Sequence, residues 1–209
     1  GVQDSWGGEM ELGYNKKLTK DFTIQVKGNI AYATNIVLKK WQNPGNIGTW
    51  QDEVGRIRGG EVGYYSYGIA RTQEEIDNWP LDQDGQGNAT IAPGDIKYID
   101  QNEDGVLDSH DYIYVKNSSQ PDMDFSFRVG IQYKGFFLNA IFQGESGYKQ
   151  NITDYYTLEN GTLPKYQKYH LTDSWSESNP SGKYPRVKIA TSNDNNRKKS
   201  TFWIEDCNF

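Results

Sequence analysis

The fold class is indicated by residues 22–38, which read FTIQVKGNIAYATNIVL. Apolar side chains occupy the even positions Phe22, Ile24, Val26, Ile30, Tyr32, Ile36 and Leu38, and most odd positions are polar. A period of two held from Phe22 to Leu38 predicts a β-strand much longer than the usual 5–6 residues. At about 3.3 Å per residue such a strand is about 55 Å long, enough to cross a lipid bilayer even when tilted.

The same alternation occurs on both sides of this stretch. Upstream, Met10, Leu12 and Tyr14 alternate with polar residues and precede a polar turn at 19–21. Downstream, apolar residues at 125–133 and 136–142 flank a Lys134-Gly135 pair, which is typical of a tight hairpin turn. We therefore expect strands at about 8–39 and 122–144, with a further strand beginning near 201.

Long irregular segments at about 40–120 and 144–200 separate these strands. They contain signals for short helices, at 72–79 and around 165–175. Short turns that alternate with long loops are typical of outer-membrane barrels. The pattern predicts an all-β fold, in which antiparallel strands form part of a transmembrane β-barrel with long extracellular loops containing short helices. A soluble β-sandwich shows the same alternation, so the pattern alone leaves both open.

Composition excludes several classes of protein. No run of 18 apolar residues exists, which excludes a helical membrane protein. The single cysteine, Cys207, excludes a disulfide framework, and a net charge of −6 gives no support for nucleic-acid binding. The negative charge is concentrated at 61–120, where 12 acidic and 3 basic residues give −9. Such a segment is usually a solvated loop, but it also offers the oxygen ligands of a hard cation.

The run 100–111, DQNEDGVLDSHD, matches the calcium-loop pattern. Its predicted ligands for a structural calcium ion, Ca²⁺, are Asp100, Asn102, Asp104, the Val106 carbonyl, Asp108 (through water) and Asp111. Gly105 would allow the sharp bend, and the closing residue is Asp where an EF-hand has Glu. The alternative is an Asp- and Asn-rich turn whose carboxylates bind their own backbone.

Catalysis has little support in the sequence. Neither His110 nor His170 has a recognisable catalytic partner, and no spacing singles out a pair of carboxylates. We therefore expect that the protein is not an enzyme.

The chain starts at Gly1, and an apolar segment begins at Thr201–Ile204 near its other end. From this we expect a piece of a longer protein.

Several stretches in order resemble the SusC-like (RagA-type) branch of TonB-dependent outer-membrane transporters. They are Gly8–Leu38, Gly63–Ile69, Gln73–Ile76, Pro93–Tyr98 leading into Asp100–Asp111, Tyr133–Phe136, Ala140–Gly144, Trp175, Asn179-Pro180, Tyr184–Arg186 and Phe202–Asp206. Each is weak alone, but their order and spacing cover nearly the whole chain. The resemblance implies the C-terminal half of a plugged barrel of about 22 strands, without the plug domain and the final strands.

The resemblance also implies a function. It predicts import of a bulky nutrient, an oligosaccharide or a peptide, through the bacterial outer membrane. A SusD-like surface lipoprotein would act as a lid, and TonB would supply force through the N-terminal part of the protein. Aromatic residues in the loops are candidates for ligand contact: Trp41, Trp50, Tyr64, Tyr65, Tyr67, Trp79, Tyr155 and Tyr156. Alternatively, these rings pack the loops or contact the membrane interface.

The competing hypothesis is a soluble, calcium-stabilised β-sandwich that binds carbohydrate. It shares the alternation, the aromatic residues and the calcium-like loop. The two hypotheses differ in where the apolar face of the strands lies. A sandwich buries that face under a second sheet, whereas a transporter wall presents it to outer-membrane lipid.

Overall fold

The computed structural model describes residues 1–118, 120–152, 168–188 and 194–207. It is all-β with antiparallel sheets, which confirms the predicted fold class. The strands are β1 Val2–Thr19, β2 Phe22–Lys39, β3 Gly60–Tyr64, β4 Ser66–Ile69, β5 Ile96–Tyr98, β6 Tyr112–Ser118, β7 Met123–Tyr133, β8 Phe136–Ser146, β9 Tyr148–Asn151 and β10 Ile204–Cys207. The helices are α1 Gln73–Asp77 and α2 Lys168–Thr172, with 3-10 turns at Pro44–Asn46, Ser109–Asp111 and Asn195–Arg197.

The principal sheet has four strands in the order β1-β2-β7-β8. The 22–38 stretch forms β2, which pairs with β1 on one side and with β7 on the other. Lys134 and Gly135 connect β7 to β8 with φ angles of 45° and 83°. Two positive φ angles in a two-residue loop match the right-handed twist of the strands, which explains the tight hairpin.

The strand register brings most of the large apolar side chains of the four strands onto one side of the sheet. Met10 lies opposite Ile30, and Ile30 lies opposite Phe125. Tyr14, Val26, Val129 and Ala140 form a second row across the four strands. We call this side the apolar face: Trp6, Met10, Leu12, Tyr14, Phe22, Ile24, Val26, Ile30, Tyr32, Phe125, Phe127, Val129, Ile131, Tyr133, Phe136, Leu138 and Phe142.

The apolar face is open in the part of the chain that the structure describes. Leu12 is 66% exposed and Phe136 is 80% exposed, although both are large apolar side chains. Neither buried core cluster includes a residue of this face. An exposed apolar surface of this extent marks an interaction with lipid or with another protein.

The opposite side of the sheet is polar. Lys27 and Glu11 form an ion pair at 3.0 Å, and the Ser126 hydroxyl donates to the Asn29 side chain. Some apolar residues also lie on this side, among them Val37 near the end of β2 and Phe137 and Ile141 of β8. Strand β8 is an outer strand of the sheet, and the simple alternation does not account for its two residues.

The long segment at 40–120 contains more order than an irregular loop. Strand β3 pairs with β6, and β4 pairs with β5, while β9 pairs with β10 near the end of the chain. Between them lies a core of Tyr64, Leu81, Ile96, Tyr98, Leu107 and Trp203. This core, which we call the loop core, lies outside the principal sheet and fixes the positions of the loops.

Helix α1 confirms the helix signal at 72–79. Thr72 is its N-cap, and the Thr72 hydroxyl accepts the backbone N–H of Glu75 at 3.2 Å. The Glu75 carboxylate accepts the N–H of Arg71, one residue before the cap. The bond to Thr72 satisfies a donor that the first helical turn cannot satisfy internally. Helix α2 lies within the second predicted helical segment, whose first part falls outside the described residues.

Candidate functional site

The calcium-like loop closes around Asp100. Its two carboxylate oxygens accept the N–H groups of Glu103 and Gly105, each at 2.7 Å. Gly105 has φ of 83°, a conformation that glycine adopts without strain. Asp104 accepts the Val106 N–H at 2.9 Å and the Asn102 side-chain amide at 2.7 Å. These are the bonds of an Asp- and Asn-rich turn.

The end of the same loop is fixed by Asp108 and Asp111. They form a capping box at the 3-10 turn Ser109–Asp111, and Asp111 also accepts the Gln101 N–H at 2.8 Å. The exposed His110 ring contacts the Asp108 carboxylate at 2.9 Å. The hydrogen bond to Asp108 and the surrounding negative charge raise the pKa of His110 above its ordinary value.

The predicted calcium ligands are oxygen atoms, which suits Ca²⁺, but their side chains do not converge on one point in this conformation. Among the described residues, no group of three or more His, Cys, Asp or Glu side chains is placed to hold a metal ion. Each carboxylate named above already accepts backbone or side-chain N–H donors. The calcium site therefore stays a prediction, which requires these side chains to turn toward an ion.

The predicted aromatic ligand residues are not gathered at one site. Trp41 is 92% exposed, and Tyr65 is about half exposed. Tyr64 belongs to the loop core, where its ring lies 4.5 Å from that of Tyr112. Tyr155 and Tyr156 lie outside the described residues. Trp50 lines one cavity, and Tyr67 and Trp79 line another; these two cavities are the candidate binding sites.

Trp50 lines a polar cavity of about 550 Å³, which is formed by the loop before β3 together with β3 itself and Tyr114 of β6. Arg56 lies 4.6 Å from the centre of the Tyr114 ring and donates to the Trp50 carbonyl at 2.7 Å. Arg58 also lines the cavity, is exposed, and has no side-chain partner among the described residues. Asp52 also lines the cavity, so the lining contains both a cation and a carboxylate. We call it the mixed-charge cavity.

Trp79 lines a second cavity of about 510 Å³, which we call the aromatic groove. Its walls include Tyr67, Trp79, Leu81 and Tyr98, and its rim carries Asp100 and Glu103. The Tyr67 and Trp79 rings are 5.1 Å apart and tilted by 54°. This arrangement follows from α1, which ends just before Trp79, and from β4, which carries Tyr67.

A buried lysine fixes the two rings. The Lys97 ammonium lies 4.7 Å from the centre of Trp79 and 5.0 Å from that of Tyr67. It also donates to the Glu75 carboxylate at 2.6 Å, and this bond lowers the pKa of Glu75. Cation–π contact is strongest where the cation is desolvated, and the Lys97 side chain is only 7% exposed.

A second buried network holds the loops around the groove. Asp95 is fully buried and accepts two hydrogen bonds from Arg186, at 2.8 and 3.0 Å. Lys188 and Asn196 donate to the same carboxylate at 3.3 and 2.8 Å. Burial opposes ionisation of Asp95, but these donors outweigh it and hold the pKa of the carboxyl below its ordinary value. Sequence reasoning missed this cluster because Asp95 and Arg186 are 91 positions apart.

The sequence matches no protein-family model and no curated protein. Solved structures do match. "Structure of the RagAB peptide transporter" aligns over 99% of this chain at 20% identity and a TM-score of 0.61. Two structures of the RagAB peptide importer, in the "open-open" and "closed-closed" states, give TM-scores of 0.62 and 0.60 at 18% identity.

The fold is similar to that of a segment of these transporter chains. The chain covers 21–22% of their length. At 18–20% identity the likeness establishes the fold. Among the described residues, no helix is long and apolar enough to cross a membrane.

Proposed function

We propose that this chain forms part of the wall and the outer loops of an outer-membrane β-barrel transporter that imports a bulky nutrient. The observation that supports the proposal best is the continuous, exposed apolar face of the four-stranded sheet, with a polar face behind it. Alternation of lipid-facing and lumen-facing side chains is the defining pattern of transmembrane β-barrels.

The nutrient that we favour is a peptide, with an oligosaccharide as the second candidate. The similar structures are described as a peptide transporter and a peptide importer. The mixed-charge cavity offers Arg58 and Asp52 together, which suits a ligand that carries charges of both signs. A neutral oligosaccharide gains little from such charges and depends on ring stacking instead. No catalytic step is part of this proposal.

The proposal includes partners that the resemblance predicts. A SusD-like surface lipoprotein would close over the outer loops, and TonB would supply force through a separate part of the protein. The affinity-tagged transporter would be purified from outer membranes. If the lipoprotein stays bound to it, this supports the partnership with a SusD-like lipoprotein. Its absence after mild solubilisation would count against it.

The calcium prediction is kept as a separate, structural proposal. Calorimetric titration of calcium into the chelator-treated protein should release heat, and Asp104→Ala should abolish most of it, since Asp104 is a predicted side-chain ligand. If neither protein releases heat, the loop at 100–111 does not bind calcium and the prediction is wrong. A bound ion would fasten the loop at 100–111 and would take no part in transport.

The β-sandwich is the less favoured alternative, because no second sheet covers the apolar face in the described part of the chain. A matched pair of variants separates the two hypotheses. Leu12 lies on the apolar face, and Gly13 is next to it on the polar face, with open space around it. An arginine on the lipid side of a barrel costs about 2–4 kcal/mol near the middle of the bilayer.

Leu12→Arg should therefore reduce insertion into the outer membrane and uptake of a fluorescent peptide, whereas Gly13→Arg should insert normally. The measurement is the amount of heat-modifiable, folded protein in the outer-membrane fraction, together with the uptake rate per folded molecule. Equal insertion of the two variants, or recovery of the wild-type protein in the soluble fraction, would contradict the proposal.

A further inference from the structure

The side chains that line the aromatic groove are held in place by core packing and by a buried lysine. Leu81 and Tyr98 line the groove and belong to the loop core, where both are almost fully buried. The Lys97 ammonium lies over the Tyr67 and Trp79 rings and is paired with the Glu75 carboxylate. The groove is therefore preorganised, which lowers the entropy cost of binding a ligand.

The groove also leaves apolar surface in water. Tyr67 is 63% exposed although its ring lies against Trp79. The Trp79 indole N–H is buried and has no hydrogen-bond partner among the described residues, so packing and the Lys97 contact hold this ring. A volume of about 510 Å³ lies within the range of small-ligand sites. These features suit an apolar side chain that covers the two rings.

The rim of the groove carries negative charge. The Glu103 carboxylate is exposed and has no partner among the described residues, and Asp100 lies beside it with its oxygens bound only to N–H groups. The one cation in contact with the rings, among the described residues, is paired with Glu75 and almost inaccessible. A ligand at the rim therefore meets a net negative potential and is favoured if it is positively charged.

From this geometry we propose that the aromatic groove binds an aromatic or long aliphatic side chain of a peptide at a position adjacent to lysine or arginine. The apolar side chain covers Tyr67 and Trp79, and the neighbouring cation lies at Glu103. This inference rests on the proposed import of peptides and gives the substrate class for one site of the loops.

The test is calorimetric titration of three capped tetrapeptides into the detergent-solubilised protein in calcium-free buffer. The peptides are Gly-Phe-Lys-Gly, Gly-Phe-Glu-Gly and Gly-Ala-Lys-Gly. We expect the first to bind about tenfold more tightly than either of the others, because it alone combines ring burial with charge attraction. About 0.5 M salt should reduce the Lys-over-Glu preference and leave the Phe-over-Ala preference in place.

Two variants assign the preferences to the groove. Tyr67→Ala should remove most of the Phe-over-Ala preference, and Glu103→Gln should remove most of the Lys-over-Glu preference. Tyr67 and Glu103 are exposed, so neither change should prevent folding. The matched control is Glu74→Gln, which alters an exposed glutamate outside the groove and should bind like the wild-type protein.

Equal affinities for the three peptides, or preferences that survive both groove variants, would overturn the inference. Its failure is distinguishable from failure of the proposed transport. Peptide uptake that continues with no preference at the groove overturns this inference alone. Binding preferences without any uptake into cells overturn the import proposal alone.

Discussion

Replacing Asp95 by asparagine should loosen the loops that surround the aromatic groove. In the structure, Asp95 accepts two hydrogen bonds from Arg186, one each from Lys188 and Asn196, and one from the Ala92 N–H at 3.0 Å. Asparagine has nearly the same shape but exchanges one carboxylate oxygen for an amide that donates. At least one face of the cluster would then place donor against donor. Arg186 and Lys188 would lose the charge of Asp95, although Lys188 keeps its ion pair with Asp194 at 3.0 Å.

The expected cost is about 2–4 kcal/mol of local unfolding free energy. Breaking a buried ion pair by removing one partner costs about 3–5 kcal/mol. We lower this figure because the side chains of Arg186 and Lys188 are 29% and 20% exposed, so water can solvate part of the charge that remains. Because the pKa of Asp95 is depressed, its contribution is present above the unfolded-state pKa and is lost as the pH falls through the folded-state pKa.

Hydrogen exchange measures this effect at a specific amide. The Ile96 N–H donates to the Asn196 side-chain oxygen at 2.8 Å, and the amide group of that same side chain donates to Asp95. Asp95→Asn should therefore lower the protection of the Ile96 amide by about 30- to 700-fold, which corresponds to 2–4 kcal/mol at about 1.4 kcal/mol per tenfold. Amides of β7 should keep their protection.

Glu53→Gln is the matched control, because Glu53 is paired with Lys40 at an exposed site. An exposed pair contributes about 0–1 kcal/mol, so the control should change exchange only slightly. Unchanged protection at Ile96 in Asp95→Asn would refute the reasoning that this buried cluster fixes the loops. Equal losses in the two variants would refute it as well.

Three further predictions follow from local geometry. Thr72→Ala should destabilise α1 by about 0.5–2 kcal/mol in a local exchange measurement, because the capping oxygen is lost, and Thr72→Ser should not. Gly94→Ala should lower the melting temperature of the loops, since Gly94 has φ of 94° and a Cβ there would lie 2.5 Å from the Trp175 ring. An unchanged melting temperature would contradict this. An NMR titration should show the pKa of His110 above its ordinary value, and Asp108→Asn should return it toward that value. Because the pKa is higher in the folded state than in the unfolded state, any stabilisation is present at low pH and is lost as the pH rises through the folded-state pKa.

The strands of the principal sheet were largely predictable from sequence. In β7 the apolar residues repeat at every second position, and in β2 only Gly28 and Thr34 interrupt the repeat; the structure confirms both strands and their shared face. The first strand begins at Val2, earlier than the predicted boundary near residue 8. Asp4 and Gly8 interrupt the alternation there, so pairing with β2 is what extends the strand. That pairing is a tertiary effect and has no local signal.

The loops were much less predictable. Strands β3 to β6 are short, and β3 and β4 contain glycine, which weakens any period-two pattern. The loop core joins Tyr64 and Tyr98 to Trp203, far away along the chain. The same limit applies to the candidate site. The sequence shows an aromatic residue at 79 and an acidic residue at 103, but it does not show that the two line one groove. The groove depends on long-range contacts such as that of Lys97 with Glu75.

The central claim is that the apolar face contacts lipid and the polar face contacts water. The most direct test is a nitroxide scan along residues 22–38 in reconstituted liposomes, with collision rates measured for oxygen, which concentrates in lipid, and for a water-soluble nickel complex. We predict that oxygen accessibility peaks at even positions such as Ile24 and Ile30, and nickel accessibility at odd positions such as Gln25 and Asn29. Low accessibility to both reagents at the even positions would place that face in a protein interior and contradict the account.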